Sequence, residues 1–197
     1  PIDIKTFKQH EIAPYTQQLY LLCKQVYPEY PYLYLPDEND GYNEYFKSLP
    51  DTPNSIVCIA FDNGRVIGAA IGLPIRQANY RVLEAFDGGK IDLNHMYYLG
   101  ELVLLPKYRK QGIGRAIYYN FETTVKEMNI YNSIALCQIE DLRYESLKPK
   151  GYVPNDHFWE KLGFIHHPQF SFNSPWVNLN QTEPSSHLLV FWIKTLD

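Results

Sequence analysis

The chain has 197 residues, with 18 Lys and Arg against 22 Asp and Glu and a formal net charge of -4. That length suits one domain with room for insertions, and a hydrophobic share of 45% excludes a disordered chain. No apolar run approaches the ~20 residues that a membrane helix needs, and the acidic balance argues against general nucleic-acid binding.

Cys23, Cys58 and Cys137 are odd in number, far apart and without C-x-x-C spacing. They point to a reducing compartment and to buried structural thiols, not to a disulfide framework or a zinc site. His166-His167 is an adjacent pair with no acidic residue beside it in sequence, so it reads as a strand end or loop and not as a metal site. No signal-peptide pattern opens the sequence. The expectation is a cytoplasmic protein without membrane or nucleic-acid partners and without a metal, as a monomer or homodimer.

In chain order, residues 2–7 predict a strand, and Ile12, Tyr15, Leu19, Leu22, Cys23 and Val26 fall at helical spacing. Tyr27-Pro-Glu-Tyr-Pro-Tyr-Leu-Tyr-Leu-Pro36 breaks that helix and reads as an ordered loop with a binding surface. An acidic stretch, Asp37 to Glu44, leads to a second helix near 41–49. Ser55–Phe61 and Val66–Leu73 read as two strands joined by Asp62-Asn-Gly-Arg65, a tight hairpin turn. Residues 74–96 read as a polar excursion and 97–104 as a strand.

Ile113, Ile117, Phe121, Val125 and Met128 share one face of the next helix, and Ser133–Ile139 reads as a strand. Residues 140–154 look inserted. Asn155 or Asp156 can cap a short helix ending at Gly163, and Phe164 begins a strand. The Pro-, Asn- and Ser-rich residues 168–186 read as a loop excursion, and His187–Lys194 as the last strand. Pattern alone gives a mixed α/β domain with a central sheet.

The most informative stretch runs from Glu101 to Arg115. A hydrophobic strand enters a basic turn with Gly112 and Gly114, and the turn opens into an amphipathic helix. Unpaired N–H groups and the helix dipole make such a start an anion trap. Glycine lets a phosphate approach the backbone, and Lys107, Arg109, Lys110 and Arg115 add local positive charge to an acidic chain. The dinucleotide fingerprint G-x-G-x-x-G fails at its third glycine, where Ile117 stands, and the nucleotide-triphosphate loop G-x-x-x-x-G-K-[ST] does not occur.

What does occur is Arg109-x-x-Gly112-x-Gly114 after a strand carrying Glu101. This resembles the acyl-CoA pyrophosphate loop of the GNAT superfamily of N-acyltransferases, [R/Q]-x-x-G-x-[G/A], closely over residues 97–128. His157-Phe-Trp-Glu-Lys-Leu-Gly-Phe164 looks like the family's later segment x-x-Y-x-K-x-G-F. The resemblance implies one domain over 1–197 with loop insertions near 74–96, 140–154 and 168–186. It implies the element order β-α-α-β-β-β-α-β-α-β-β, an α+β fold with a mixed central sheet of about six to seven strands flanked by helices.

The resemblance also implies acetyl-CoA, or a longer acyl-CoA, as donor. The pantetheine arm would lie along Leu102, Val103 and Leu104 like an added strand. The pyrophosphate would fall on the N–H groups of Arg109, Lys110, Gln111, Gly112, Ile113, Gly114 and Arg115. Trp159, in the slot where relatives carry Tyr, joins the donor-contact set.

Acyl transfer to an amine needs a base, an oxyanion donor and a proton for the thiolate. Glu101 is the base candidate: in a strand it shares a face with Leu99 and Val103, and apolar company raises a carboxylate pKa. An oxyanion donor is expected near Val103, where the family strand carries a bulge. Trp159 offers no useful acidic proton, so Tyr152 and His157 become the acid candidates. Tyr27, Tyr30, Tyr32 and Tyr34, with Asp37, Glu38, Asp40 and Glu44, would shape a site for a small-molecule or peptide amine. The alternative is a CoA-binding sensor or scaffold that has lost catalysis.

Overall fold

The computed structural model describes residues 1–37 and 41–197. Its seven strands are β1 (Ile2–Lys8), β2 (Ile56–Asp62), β3 (Arg65–Pro74), β4 (Met96–Leu104), β5 (Ser133–Ile139), β6 (Ile165–Trp176) and β7 (Ser185–Thr195). Its α-helices are α1 (Thr16–Val26), α2 (Tyr42–Ser48), α3 (Tyr80–Glu84), α4 (Ile113–Glu127) and α5 (Asp156–Lys161). The strands form one sheet in the order β1-β2-β3-β4-β5-β7-β6. All neighbours are antiparallel except β4 and β5, which are parallel.

The β2–β3 hairpin turns at Asn63 and Gly64, both at positive φ (49° and 82°), the conformation a two-residue hairpin demands. Helix α4 packs its apolar face, including Ile117, Phe121 and Val125, on the sheet, where these side chains are fully buried. Burying each stabilises the fold by roughly 1.5–3 kcal/mol. Gly72 makes room for that docking: a Cβ there would stand 2.5 Å from Phe121 Cζ and 2.7 Å from Tyr97 Cε2.

Two stretches differ from expectation. Residues 74–96 are not simply a polar excursion. Their α3 region buries Val82, Ala85 and Phe86 in a second cluster with Met96, Ala135, Phe191 and Ile193. Residues 168–176 are strand, not loop, and β6 continues to Trp176. Proline and asparagine mislead there because β6 is the outermost strand, where a missing N–H costs no ladder bond. The sequence signal was present in Phe170 and Phe172, which pack on Phe86 and Phe191. Residues 142–147 within the expected insertion form a 3-10 helix. Asn155 does precede α5, but its side chain makes no capping bond.

Two features of β4 build the site. Its pairing with β5 covers Met96 to Tyr98 and stops there. Its pairing with β3 slips by one residue: Gly72 lies opposite Leu99 but Ile71 lies opposite Glu101, leaving Gly100 as the extra residue of a bulge.

Candidate active site

The bulge decides where Glu101 points. Paired residues share a face of a sheet, and neighbours along a strand alternate. Leu99 therefore points with Gly72 toward α4, and Glu101 points with Ile71 to the other face, where α1 and α2 lie. This corrects the expectation that Glu101 shares a face with Leu99. Val103, opposite Ala69, does share it. The bulge itself sits at Gly100, three residues before the position expected near Val103.

Glu101 meets tyrosines on that face. Tyr27, at the end of α1, donates to Glu101 Oε2, and Tyr42, the first residue of α2, donates to Oε1 at 3.1 Å. Burial pushes the carboxyl pKa up to about 7, against the opposing pull of these two hydrogen bonds. Burial also raises the hydroxyls of Tyr27, Tyr42, Tyr45 and Tyr98 well above the usual phenol range, with the charge of Glu101 adding to each shift. These tyrosines stay neutral at any ordinary pH. Cys23 hydrogen-bonds Tyr42 and Cys137 bonds Tyr98 at 3.4 Å, and burial pushes the Cys137 thiol up to about 12. Neither thiol is poised as a nucleophile.

A second layer closes over this shell. The Tyr32 ring packs edge-on against Tyr27 at 5.0 Å, and its carbonyl accepts from Trp176 Nε1 at 3.0 Å. Backbone bonds from Leu35 N–H to Val177 and from Leu179 N–H to Leu33 stitch the 27–37 loop to the β6–β7 connection. Trp176 stacks flat on the buried His187 at 3.6 Å, and His187 in turn bonds Asn178 Oδ1 at 2.9 Å.

The basic turn lies at the end of β4. Gly112 takes φ +81°, and neither Gly112 nor Gly114 would place a Cβ within 4 Å of any atom. No side chain caps α4, and its first backbone bond runs from Ala116 N–H to Gly112 O at 3.1 Å. Lys107, Arg109, Lys110 and Arg115 are all exposed around it. Ile113 is the exception in the predicted loop set: its side chain is buried under the turn. Gln111 folds back, donating to Lys107 O at 3.2 Å.

The remaining predicted residues scatter. Leu102, Val103 and Leu104 follow Glu101 on the stretch of β4 beyond its pairing with β5. Tyr152 is half-buried and packs edge-on against Tyr30 at 4.8 Å. His157 is exposed on α5. Trp159 is buried to 6% exposure between Phe158 and Phe164, with its indole N–H unpaired. Tyr34 packs on Tyr42, and Glu44 pairs with Lys47 at 3.5 Å in solvent. Glu38 and Asp40 lie outside the described residues. His166 has an acidic partner after all, Glu140 at 2.9 Å, brought from across the sequence gap.

Sequence reasoning missed Tyr42, Tyr45, Tyr98 and Trp176. Their only signal was the chain's wealth of aromatic residues, 17 Tyr and 3 Trp, which does not say who meets whom.

A family model described as "Acetyltransferase (GNAT) family" matches residues 16–164. The chain belongs to the GNAT acetyltransferase family. It is therefore an acyltransferase by family. A comparison with curated protein sequences found no match.

Solved GNAT-type structures are similar in fold. One is Arabidopsis thaliana NAA60 in complex with acetyl-CoA, with a TM-score of 0.59 at 14% identity over 98% of each chain. Another is an acetyltransferase of the GNAT family from Streptococcus pneumoniae, with a TM-score of 0.60 at 14% identity over 100% of each chain. A third is aminoglycoside 6'-acetyltransferase type Ii, with a TM-score of 0.57 at 22% identity, over 98% of this chain and 96% of that one. At these identities the likeness carries the fold alone. No helix among the described residues is long and apolar enough to cross a membrane.

Proposed function

We propose that this GNAT chain is a single-domain N-acetyltransferase. It moves an acetyl group from acetyl-CoA to a primary amine of a small molecule or peptide by direct attack, with Glu101 as general base. The observation that carries the reading is the Glu101 carboxyl, half-buried at the β4 bulge and raised by burial to about 7. A base with that pKa is half ionised near neutral pH, where general-base catalysis works best.

The residues present fit the donor. Open space over Gly112 and Gly114, at an uncapped helix start, suits a pyrophosphate approaching backbone N–H groups of Lys110 to Arg115; the Arg109 N–H expected in that set is instead held by Pro106 O at 3.1 Å. The part of β4 past its last pair with β5 leaves room for an extended arm along Leu102, Val103 and Leu104. The fold relatives agree in kind: one structure holds acetyl-CoA, and another protein is named for acetylating an aminoglycoside.

Acetyl-CoA supplies an activated thioester. Glu101 accepts the proton that makes the acceptor amine nucleophilic, and a backbone N–H of β4 steadies the oxyanion. The leaving thiolate, with a thiol pKa near ~8.5, needs no strong acid. Tyr152 and His157 are the candidates for an auxiliary proton donor. Three free cysteines accord with a cytoplasmic location.

The test is Glu101→Gln, which keeps the shape and removes the basicity. Turnover, followed as thiol release from acetyl-CoA across a panel of amines, should fall by roughly 10²–10⁴-fold. CoA affinity by calorimetry should barely change. A variant as fast as the parent at every pH would overturn Glu101 as base. CoA binding without transfer to any amine would favour the sensor reading instead.

A further inference from the structure

We propose, on the reading that Glu101 is the base, that the Tyr27 hydroxyl relays the acceptor's proton to it and is the protein group that touches the incoming amine. Both carboxylate oxygens already accept a tyrosine hydroxyl, Oε2 from Tyr27 and Oε1 from Tyr42. With a hydroxyl on each oxygen, the carboxylate can take a proton through a tyrosine without giving up either hydrogen bond's place. A phenol is suited to that place, since it gives one proton and accepts another through the same oxygen.

The two tyrosines are not equivalent. Tyr42 is wedged among Tyr20, Tyr45 and Phe46, and its hydroxyl also meets the Cys23 thiol. It anchors the carboxylate from the helix side. Tyr27 stands where α1 gives way to the loop, in a row with Tyr32 and Trp176 that roofs the site. Tyr27 thus lies between the half-buried base and the wall formed by the loop and the β6–β7 connection.

The proton count closes. The acceptor arrives as an ammonium. One N–H proton passes to Tyr27 Oη while the Tyr27 O–H proton passes to Glu101 Oε2, which leaves a neutral amine and a neutral carboxyl. The amine lone pair then forms the C–N bond and the C–S bond breaks. The second nitrogen proton neutralises the departing thiolate, and Glu101 returns its proton to solvent. An ammonium and a thioester become an amide, a thiol and one released proton.

A purely tuning role for Tyr27 makes a different forecast. Its hydrogen bond lowers the Glu101 pKa, so losing the hydroxyl would move the acid limb of the rate profile to higher pH and leave the plateau intact. Relay loses the plateau itself.

The experiment compares the parent, Tyr27→Phe and Tyr42→Phe, with acetyl-CoA and the fastest amine from a panel of ethanolamine, putrescine, glucosamine and a tripeptide. Turnover is measured across pH in water and in mixtures with heavy water. Tyr27→Phe should lower the plateau by about 10²-fold, within the usual worth of proton-transfer catalysis. It should also turn a curved proton inventory linear and leave CoA affinity and melting temperature near the parent's. Tyr42→Phe, which loses an anchor of the carboxylate but not the relay, should shift the acid limb upward and keep the curved proton inventory.

An intact Tyr27→Phe plateau would overturn the relay, as would a rise in turnover, which would make Tyr27 a gate. Either result would leave the Glu101 reading standing as long as Glu101→Gln still fails. If Glu101→Gln matches the parent, the base assignment falls and the relay with it.

Discussion

Arg109 and Glu29 join the two loops that border the site. The guanidinium donates to both carboxylate oxygens, at 3.0 and 3.3 Å, while its Nε donates to Leu104 O at 3.0 Å. The first residue of the basic turn is thus tied to the loop carrying Tyr27. The two side chains are 41% and 39% exposed, so water and salt screen most of the attraction. Glu29→Gln should cost less than about 1 kcal/mol of stability. It should change CoA affinity less than about threefold, because the phosphates are met by backbone N–H groups. Calorimetry at low and high salt checks this, and a tenfold loss of affinity would mean that the Glu29 tie sets the shape of the turn.

The two glycines of the turn make separable forecasts. Gly112 sits at φ +81°, where a side chain costs about 1–2 kcal/mol. Gly112→Asp should therefore lower the melting temperature slightly and abolish measurable CoA binding by repulsion. Gly114 has no such backbone constraint, and a Cβ there meets nothing within 4 Å. Gly114→Ala should melt like the parent yet bind CoA about tenfold more weakly, since the methyl enters space a phosphate needs. Unchanged affinity in both variants would place the donor elsewhere.

Glu101 should also leave a mark on stability. Its folded pKa, about 7, stands above the ordinary 4.5. Its contribution is therefore fully present below about pH 4.5 and is lost as pH rises through about 7. By pH 8 the loss is on the order of 2–3 kcal/mol. Glu101→Gln should accordingly melt above the parent at pH 8, and the gap should close near pH 4.5. Melting curves of both proteins across that range test it, and a gap that widens toward acid would contradict a desolvated carboxyl.

For the leaving thiolate, no single side chain should prove indispensable. Tyr152→Phe keeps its ring against Tyr30 and should cost less than about tenfold in turnover, below the roughly 10²–10⁴-fold that a positioned acid contributes. His157 is exposed, so His157→Ala should cost less still. A well-folded but inactive Tyr152→Phe enzyme with CoA binding intact would name the acid.

The amino-acid sequence by itself determined the parts whose causes are local. The Asn63-Gly64 turn, the apolar face of α4 and the glycine pair at its start need only nearby residues, and each lies where the pattern places it. Glu101 was legible as a lone acid in an apolar strand. What it faces was not, because the bulge at Gly100 depends on how β4 registers against β3. A one-residue slip reverses a side chain, and no periodicity within β4 records it.

The same limit held for β6. Its prolines are tolerated because the strand lies at the sheet edge, and edge position is a property of the whole topology. The tyrosine shell is the clearest case. Tyr27 and Tyr42 stand 74 and 59 residues from Glu101, and their composition could only suggest an aromatic surface. Tertiary packing alone set two hydroxyls on one carboxylate and drew it partly out of water, and that burial raises its pKa to about 7 against the opposing pull of the hydroxyls.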